Sequence, residues 1–293
     1  MKKFLVIGVL FLSQSLFAQI PYGSNPKVGK RVQVGDISMY YEIYGKGEPL
    51  ILLHGGYGSS EMMGGMIEAF SKKYQVIAVD SRSQGRTTDS DEKELTYAQM
   101  ALDVNGFMDK LQIKKAKFVG WSDGGDIALE LALIHPEKIT KAVIMGANFL
   151  GESKGVFLGV DTTWKMNATD PLFAKTKIEM AKYFSTYKRM AADKTKIASA
   201  KKKAADNAFN NPNITITQLN AIEVPFLVMA GDHDMFKLEH TIALYQNLPQ
   251  ASLYIVPDAT HISPFEEPEL VHSEILRYLA KPYRKLDAFY FWK

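Results

Sequence analysis

Six short, almost wholly apolar runs, separated by longer helical stretches, limit what this chain can fold into. They span residues 49–53, 75–79, 117–121, 141–145, 225–230 and 252–256. A strand with water on one face alternates apolar and polar residues, whereas a run apolar throughout has to be covered on both faces. Between the runs, residues 97–111 carry Met100, Leu102, Val104, Phe107, Met108 and Leu111 at helical spacing. Strands alternating with such helices predict an α/β fold with a doubly wound, mostly parallel sheet. Ahead of them, residues 31–34 and 37–44 read as an antiparallel hairpin turned at Gly35-Asp36.

The spacing breaks once. Residues 149–222 separate two strand runs by far more than an ordinary connection, so they must hold structure of their own. Asp170-Pro171 supplies an N-cap followed by proline at the first helical position, and Asn210-Asn211-Pro212-Asn213 supplies a break. We read 149–222 as a helical cap inserted into an α/β core made of residues 19–148 and 223–293. The cap carries twelve Lys/Arg against six acids.

Residues 1–18 have the form of a secretory signal peptide. Lys2 and Lys3 precede the apolar residues 4–12, and Ser15-Leu16-Phe17-Ala18 ends in a small residue before Gln19. The apolar part falls short of the about 20 residues that span a bilayer. The pattern therefore predicts cleavage after Ala18, export to the periplasm or the extracellular space, and no membrane association afterwards. Cleavage leaves 33 Lys/Arg against 32 Asp/Glu, without the basic excess of a nucleic-acid binder. The chain contains no cysteine, which excludes disulfides, thiolate metal sites and a cysteine nucleophile.

Gly120-Trp121-Ser122-Asp123-Gly124 has the form G-x-S-x-G and lies between an apolar run and the helix-like stretch 126–134. On such a strand-to-helix turn a serine hydroxyl sits where helix N–H groups favour negative charge. Serine is a weak nucleophile without a base. In the chain order serine, acid, histidine, the run 225–230 leads into Gly231-Asp232-His233-Asp234, and His261 follows the run 252–256. Two acids are on offer, Asp232 and Asp234. His54 is expected to order its own loop, His135 lies at the end of the helix after the elbow beside Pro136, and His240 and His272, within amphipathic stretches, are expected at the surface or in packing. His233 is the one rival base. Asp232, His233 and Asp234 have no second group at ligand spacing, so neither a metal nor another cofactor is expected.

From residue 32 to residue 279 the chain resembles the α/β-hydrolase family. His54-Gly55-Gly56 is similar to its oxyanion loop. Residues 80–87 resemble D-x-R-G-x-G-x-S, with Ser83 in place of the glycine and Thr87 in place of the serine, changes that touch loop geometry. Gly231 to Asp234 resembles G-x-x-D, which selects Asp234 over Asp232. His261 followed by Glu266-Glu267-Pro268-Glu269 resembles the terminal histidine loop. The resemblance implies a Ser122–Asp234–His261 triad, with an oxyanion hole made by the N–H groups of Asp123 and of Gly56 or Tyr57.

Residues 119–128 and 143–148 are similar to those of the valacyclovir hydrolase or biphenyl hydrolase-like subgroup. That likeness implies that Asp123 binds the ammonium of an α-amino acid ester. The plainer reading is that Asp123 favours the helix N-terminus. In the cap, Met166, Phe173, Met180, Tyr183, Phe184 and Tyr187 either line an acyl pocket or pack the cap onto the core. The cap lysines either draw anionic substrates or form a solvated face. The expected function is a secreted serine hydrolase that cleaves an ester-like bond of a small molecule through an acyl-enzyme. Two alternatives stand beside it. One is a C–C bond hydrolase or cofactor-free haloperoxidase using the same triad; the other is a non-catalytic binding protein.

Overall fold

The computed structural model describes residues 20–90, 94–158 and 185–286, together with positions 178, 181 and 289. Strands β1 (Lys30–Val34) and β2 (Ile37–Tyr44) form the expected hairpin. Then β3 (Pro49–Leu53), α1 (Gly64–Phe70), β4 (Gln75–Val79), α2 (Tyr97–Lys110), β5 (Ala116–Trp121), α3 (Asp123–Ile134) and β6 (Ile139–Met145) alternate. Helices α4 (Ile197–Asn210) and α5 (Ile216–Asn220) precede β7 (Phe226–His233). The chain continues through α6 (Leu238–Asn247), β8 (Ala251–Thr260), α7 (Ser263–Glu266) and α8 (Pro268–Ala280). The strands form one sheet in the order β1-β2-β4-β3-β5-β6-β7-β8. Strand β2 is antiparallel to both its neighbours, and every other pair is parallel.

The unbroken apolar runs have their explanation in two cores. In β3, Ile51 and Leu53 face a core shared with α2, α3 and α6, while Leu50 and Leu52 face Met66, Ile67 and Phe70 of α1 and Val271 and Ile275 of α8. All four β3 leucine and isoleucine side chains are at most 1% exposed, and each contributes about 1.5–3 kcal/mol by leaving water. A polar residue on either face of β3 would forfeit that.

Of the boundaries that differ from the reading of the sequence, three bear on the site. Strand β7 continues through Asp232 and His233, and β8 continues to Thr260, with His233 paired to Thr260 beyond an irregularity in register. These residues are polar and carry no apolar signal, so the sequence reads them as loop. As a result Asp234 and His261 are each the first residue beyond a paired strand. Helix α3 starts at Asp123 rather than at residue 126, because Gly124 and Gly125, poor helix formers, disguise its first turn.

The described part of 149–222 adds no strand to the sheet. It holds a helical segment at 185–190, α4, which ends at Asn210 where the break is predicted, and α5. Lys203 on α4 ties it to the core by ion pairing with Asp89 at 2.8 Å and donating to the Ser90 carbonyl at 2.9 Å. Residues 1–18, Asp170-Pro171, Met166, Phe173, Met180, Tyr183 and Phe184 lie outside the described residues. Among the described residues no helix is long and apolar enough to cross a membrane.

Candidate active site

The carboxyl ends of β3, β5, β7 and β8 deliver His54, Ser122, Asp234 and His261 to one edge of the sheet, where open α/β sheets form their crevice. Ser122 occupies the turn between β5 and α3 with φ 53° and ψ −125°, a strained conformation for a residue with a side chain. Surrounding bonds hold it there. Its N–H donates to the Met145 carbonyl at 2.8 Å, and its own carbonyl accepts from Gly125 N at 2.7 Å and Asp126 N at 3.2 Å. A methyl group on Gly120 would overlap the Gly124 carbonyl, and one on Gly124 would overlap the Leu53 carbonyl, so this turn tolerates no side chain on either flank.

Ser122 Oγ lies 3.0 Å from His261 Nε2, and His261 Nδ1 lies 2.9 Å from Asp234 Oδ1. Read as a network, the serine hydroxyl donates to Nε2 and the protonated Nδ1 donates to the carboxylate. Asp234 is buried, and its Oδ1 also accepts from Phe236 N at 3.1 Å. The histidine is packed as well as bonded. The Phe236 ring meets its imidazole edge-on at 5.4 Å, and Trp121 Nε1 donates to its main-chain oxygen at 2.9 Å.

The rival groups fall elsewhere. His233 is exposed and pairs with Asp232 at 2.7 Å, and Asp232 also accepts from Ala259 N at 3.2 Å. That pair lies at the end of β7 and ties it to the end of β8, and neither residue bonds Ser122 or His261. His135 is a half-buried partner of Glu137, while His240 stacks on Phe149 and His272 meets Phe70 edge-on. His54 is fully buried, donates from Nδ1 to Gly55 O at 2.7 Å and accepts from Ser81 N at 3.0 Å, joining its own loop to the next. Burial lowers its pKa, which keeps Nε2 free to accept. Ser83, where the family motif has glycine, adopts φ 64°, the left-handed conformation that glycine takes without strain.

The N–H groups of Gly56, Tyr57 and Asp123 make no hydrogen bond among the described residues. Asp123 N belongs to the first turn of α3, and Gly56 packs so closely on Asp123 that an added methyl would lie 2.7 Å from Oδ2. Gly56 thus lies beside the residue that follows Ser122, which is where the sequence reading expects the oxyanion hole.

A cavity of about 230 Å³ opens over Ser122 and His261. Tyr57, Tyr97, Trp121 and Phe236 give it apolar walls, and Asp123, Asn148, Glu152 and Asn211 give it polar ones; no lysine or arginine lines it among the described residues. Asp123 accepts from the Tyr97 hydroxyl at 3.0 Å, a contact with no signal in the sequence. Burial pushes its pKa up to about 6 against the opposing pull of that hydroxyl. Tyr187, the one described member of the aromatic cap set, does not line the cavity and packs edge-on against Tyr57 at 5.8 Å. No group of three or more metal-ligating side chains is assembled among the described residues.

Comparison with known proteins places the chain in a family. The family profile described as alpha/beta hydrolase fold matches residues 48–268. The chain belongs to the α/β-hydrolase family. It is 27% identical over 249 residues to the mouse serine hydrolase BPHL, covering 79% of each chain. Among solved structures it resembles a meta-cleavage product hydrolase from Pseudomonas fluorescens, with a TM-score of 0.70, 21% identity and coverage of 87% of this chain and 99% of that one. It also resembles a thermophilic esterase from Thermogutta terrifontis, with a TM-score of 0.67, 23% identity and coverage of 86% and 98%. At these identities the structural likenesses carry the fold. The α/β hydrolase thus keeps its candidate serine, histidine and acid at the strand ends where the fold opens.

Proposed function

We propose that this α/β hydrolase is a serine esterase that cleaves a short carboxylic ester through an acyl-enzyme on Ser122. The observation that carries the reading is the continuous chain from Ser122 Oγ to His261 Nε2 at 3.0 Å and from His261 Nδ1 to Asp234 Oδ1 at 2.9 Å, at the floor of a cavity. His261 takes the serine proton as Oγ attacks the carbonyl carbon. Asp234 fixes the imidazole tautomer and stabilises the imidazolium. The N–H groups of Asp123 and of Gly56 or Tyr57 receive the oxyanion. His261 then returns the proton to the departing alkoxide, and water, activated in the same way, releases the acid.

Asp123 and Glu152 in the lining, with no described cation opposite them, favour a substrate with a neutral or positively charged acyl part. An ammonium beside the carbonyl fits Asp123 best. The similarity to a meta-cleavage product hydrolase makes C–C bond hydrolysis the second reading, which the same triad could perform. Residues 149–222 form the cap in this proposal, and residues 1–18 an export signal removed after Ala18.

Turnover of p-nitrophenyl propionate by the wild type and by Ser122→Ala tests the reading. We expect turnover in the wild type and at least a thousand-fold loss in the variant, of the order that removal of a triad member produces. Equal activity in both would refute the assignment of Ser122.

A further inference from the structure

Two consecutive backbone amides after β6 are each held by a buried side chain. Asn148 N–H donates to Asp126 Oδ1 at 2.6 Å, and Phe149 N–H donates to His240 Nε2 at 3.3 Å. The Phe149 ring stacks on His240, with centroids 4.3 Å apart and planes 6° from parallel. Asp126 belongs to α3 and His240 to α6, so the loop is clamped from two helices. Burial pushes the Asp126 carboxyl well above the usual range and the His240 imidazole down to about 4. Neither group belongs to the triad. Withdrawing two titratable groups from water is costly, and what they fix here is the placing of Asn148.

Asn148 lines the cavity that holds Ser122 and His261, and it is only 7% exposed. Its Oδ1 is buried and has no hydrogen-bond partner among the described residues. A buried carboxamide oxygen left unpaired is disfavoured, and native structures keep few of them. A ligand that donates to it removes the penalty. Among the described residues the cavity measures about 230 Å³, and Asn148 lines it together with Ser122 and His261, so a donor on the short chain next to the reacting carbonyl is the one within its reach.

We propose that Asn148 is a specificity residue of this site, and that its carboxamide oxygen accepts a hydrogen bond from an amino or hydroxyl group on the short acyl part of the substrate. This deepens the serine-esterase reading and rests on it. Asp123 selects for positive charge; Asn148 selects for a donor, charged or not. A neutral hydroxyl therefore separates the two.

The test compares kcat/KM for p-nitrophenyl L-lactate with that for p-nitrophenyl propionate, spontaneous rates subtracted, in the wild type, Asn148→Leu and Asn148→Asp. We expect the lactate-to-propionate ratio to fall about ten-fold in Asn148→Leu, the worth of one buried hydrogen bond. Asn148→Asp, which keeps an acceptor, should retain the ratio. A purely structural role would depress both esters alike and leave the ratio unmoved, and that result overturns the proposal while the esterase reading stands. Absence of wild-type turnover of either ester overturns both. Should Asn148→Leu not fold, the smaller Asn148→Ala carries the same expectation.

Discussion

The indole N–H of Trp121 donates to the main-chain carbonyl of His261 across 2.9 Å, joining the residue before the nucleophile to the base that serves it. The same indole packs edge-on against Phe265 at 4.9 Å, so it steadies the turn that follows the histidine. Trp121→Phe keeps the ring and removes the donor. We expect kcat to fall about ten-fold with KM changed less than three-fold, since one buried hydrogen bond is worth roughly 1–1.5 kcal/mol. Steady-state kinetics on p-nitrophenyl propionate read the split, and an unchanged kcat would show that His261 is placed without Trp121.

Gly146 approaches His261 from the other side. Its φ is +57°, and a methyl group there would lie 2.7 Å from both Cε1 and Nδ1 of the imidazole. Gly146→Ala should displace the ring from Asp234 and Ser122 and cost at least a hundred-fold in kcat. The left-handed backbone adds about 1 kcal/mol or more of destabilisation. Kinetics and thermal unfolding measured together check both parts.

Asp123 gives a pH dependence with a definite sign. Burial raises its folded-state pKa to about 6 from the ordinary carboxyl value of 3.8, so the folded protein binds the proton more tightly than the unfolded chain does. Its contribution to stability is therefore present below about pH 4 and is lost as pH rises through about 6. Asp123→Asn removes that loss. The variant should melt above the wild type at pH 7.5, with the difference closing towards pH 4, as thermal unfolding across that range would read.

The same carboxylate should show its use in kinetics. An α-amino ester is cationic below about pH 7.7–8.0, so the preference for p-nitrophenyl glycinate over the acetate should rise through pH 6 and decline above 8. Asp123→Asn should flatten that profile. A profile of the same shape in the variant would remove Asp123 from substrate binding.

Much of this was legible in the chain because burial on both faces of a sheet leaves unbroken apolar runs, and β3 and β4 begin and end where those runs do. Ser122 and His261 were legible from strand-end position and order. Asp234 was separable from Asp232 only through the family motif; in the structure the difference is physical, since Asp232 is spent on His233 and Ala259 N. Contacts made across the fold left no mark in the sequence. The Tyr97 hydroxyl reaches Asp123 from a helix position that reads as ordinary amphipathic packing. Likewise, Asp126 and His240 clamp the Asn148 loop from positions that read as ordinary helix residues.

Ser83 offers a check on the loop reading. At φ 64° a serine bears strain that glycine avoids, partly offset by the greater entropy glycine loses on folding. Ser83→Gly should raise stability by a few tenths to about 1 kcal/mol without loss of turnover, as read by thermal unfolding and ester assay.

The central claim is that Ser122 alone carries the reactive hydroxyl, activated by His261. Incubation with a fluorophosphonate followed by intact and peptide mass spectrometry tests it most directly. The account predicts one adduct per chain, located on the peptide that contains Ser122, and none in Ser122→Ala or at a tenth of the rate in His261→Ala. An adduct of equal yield in Ser122→Ala, or one placed on another serine, would contradict it.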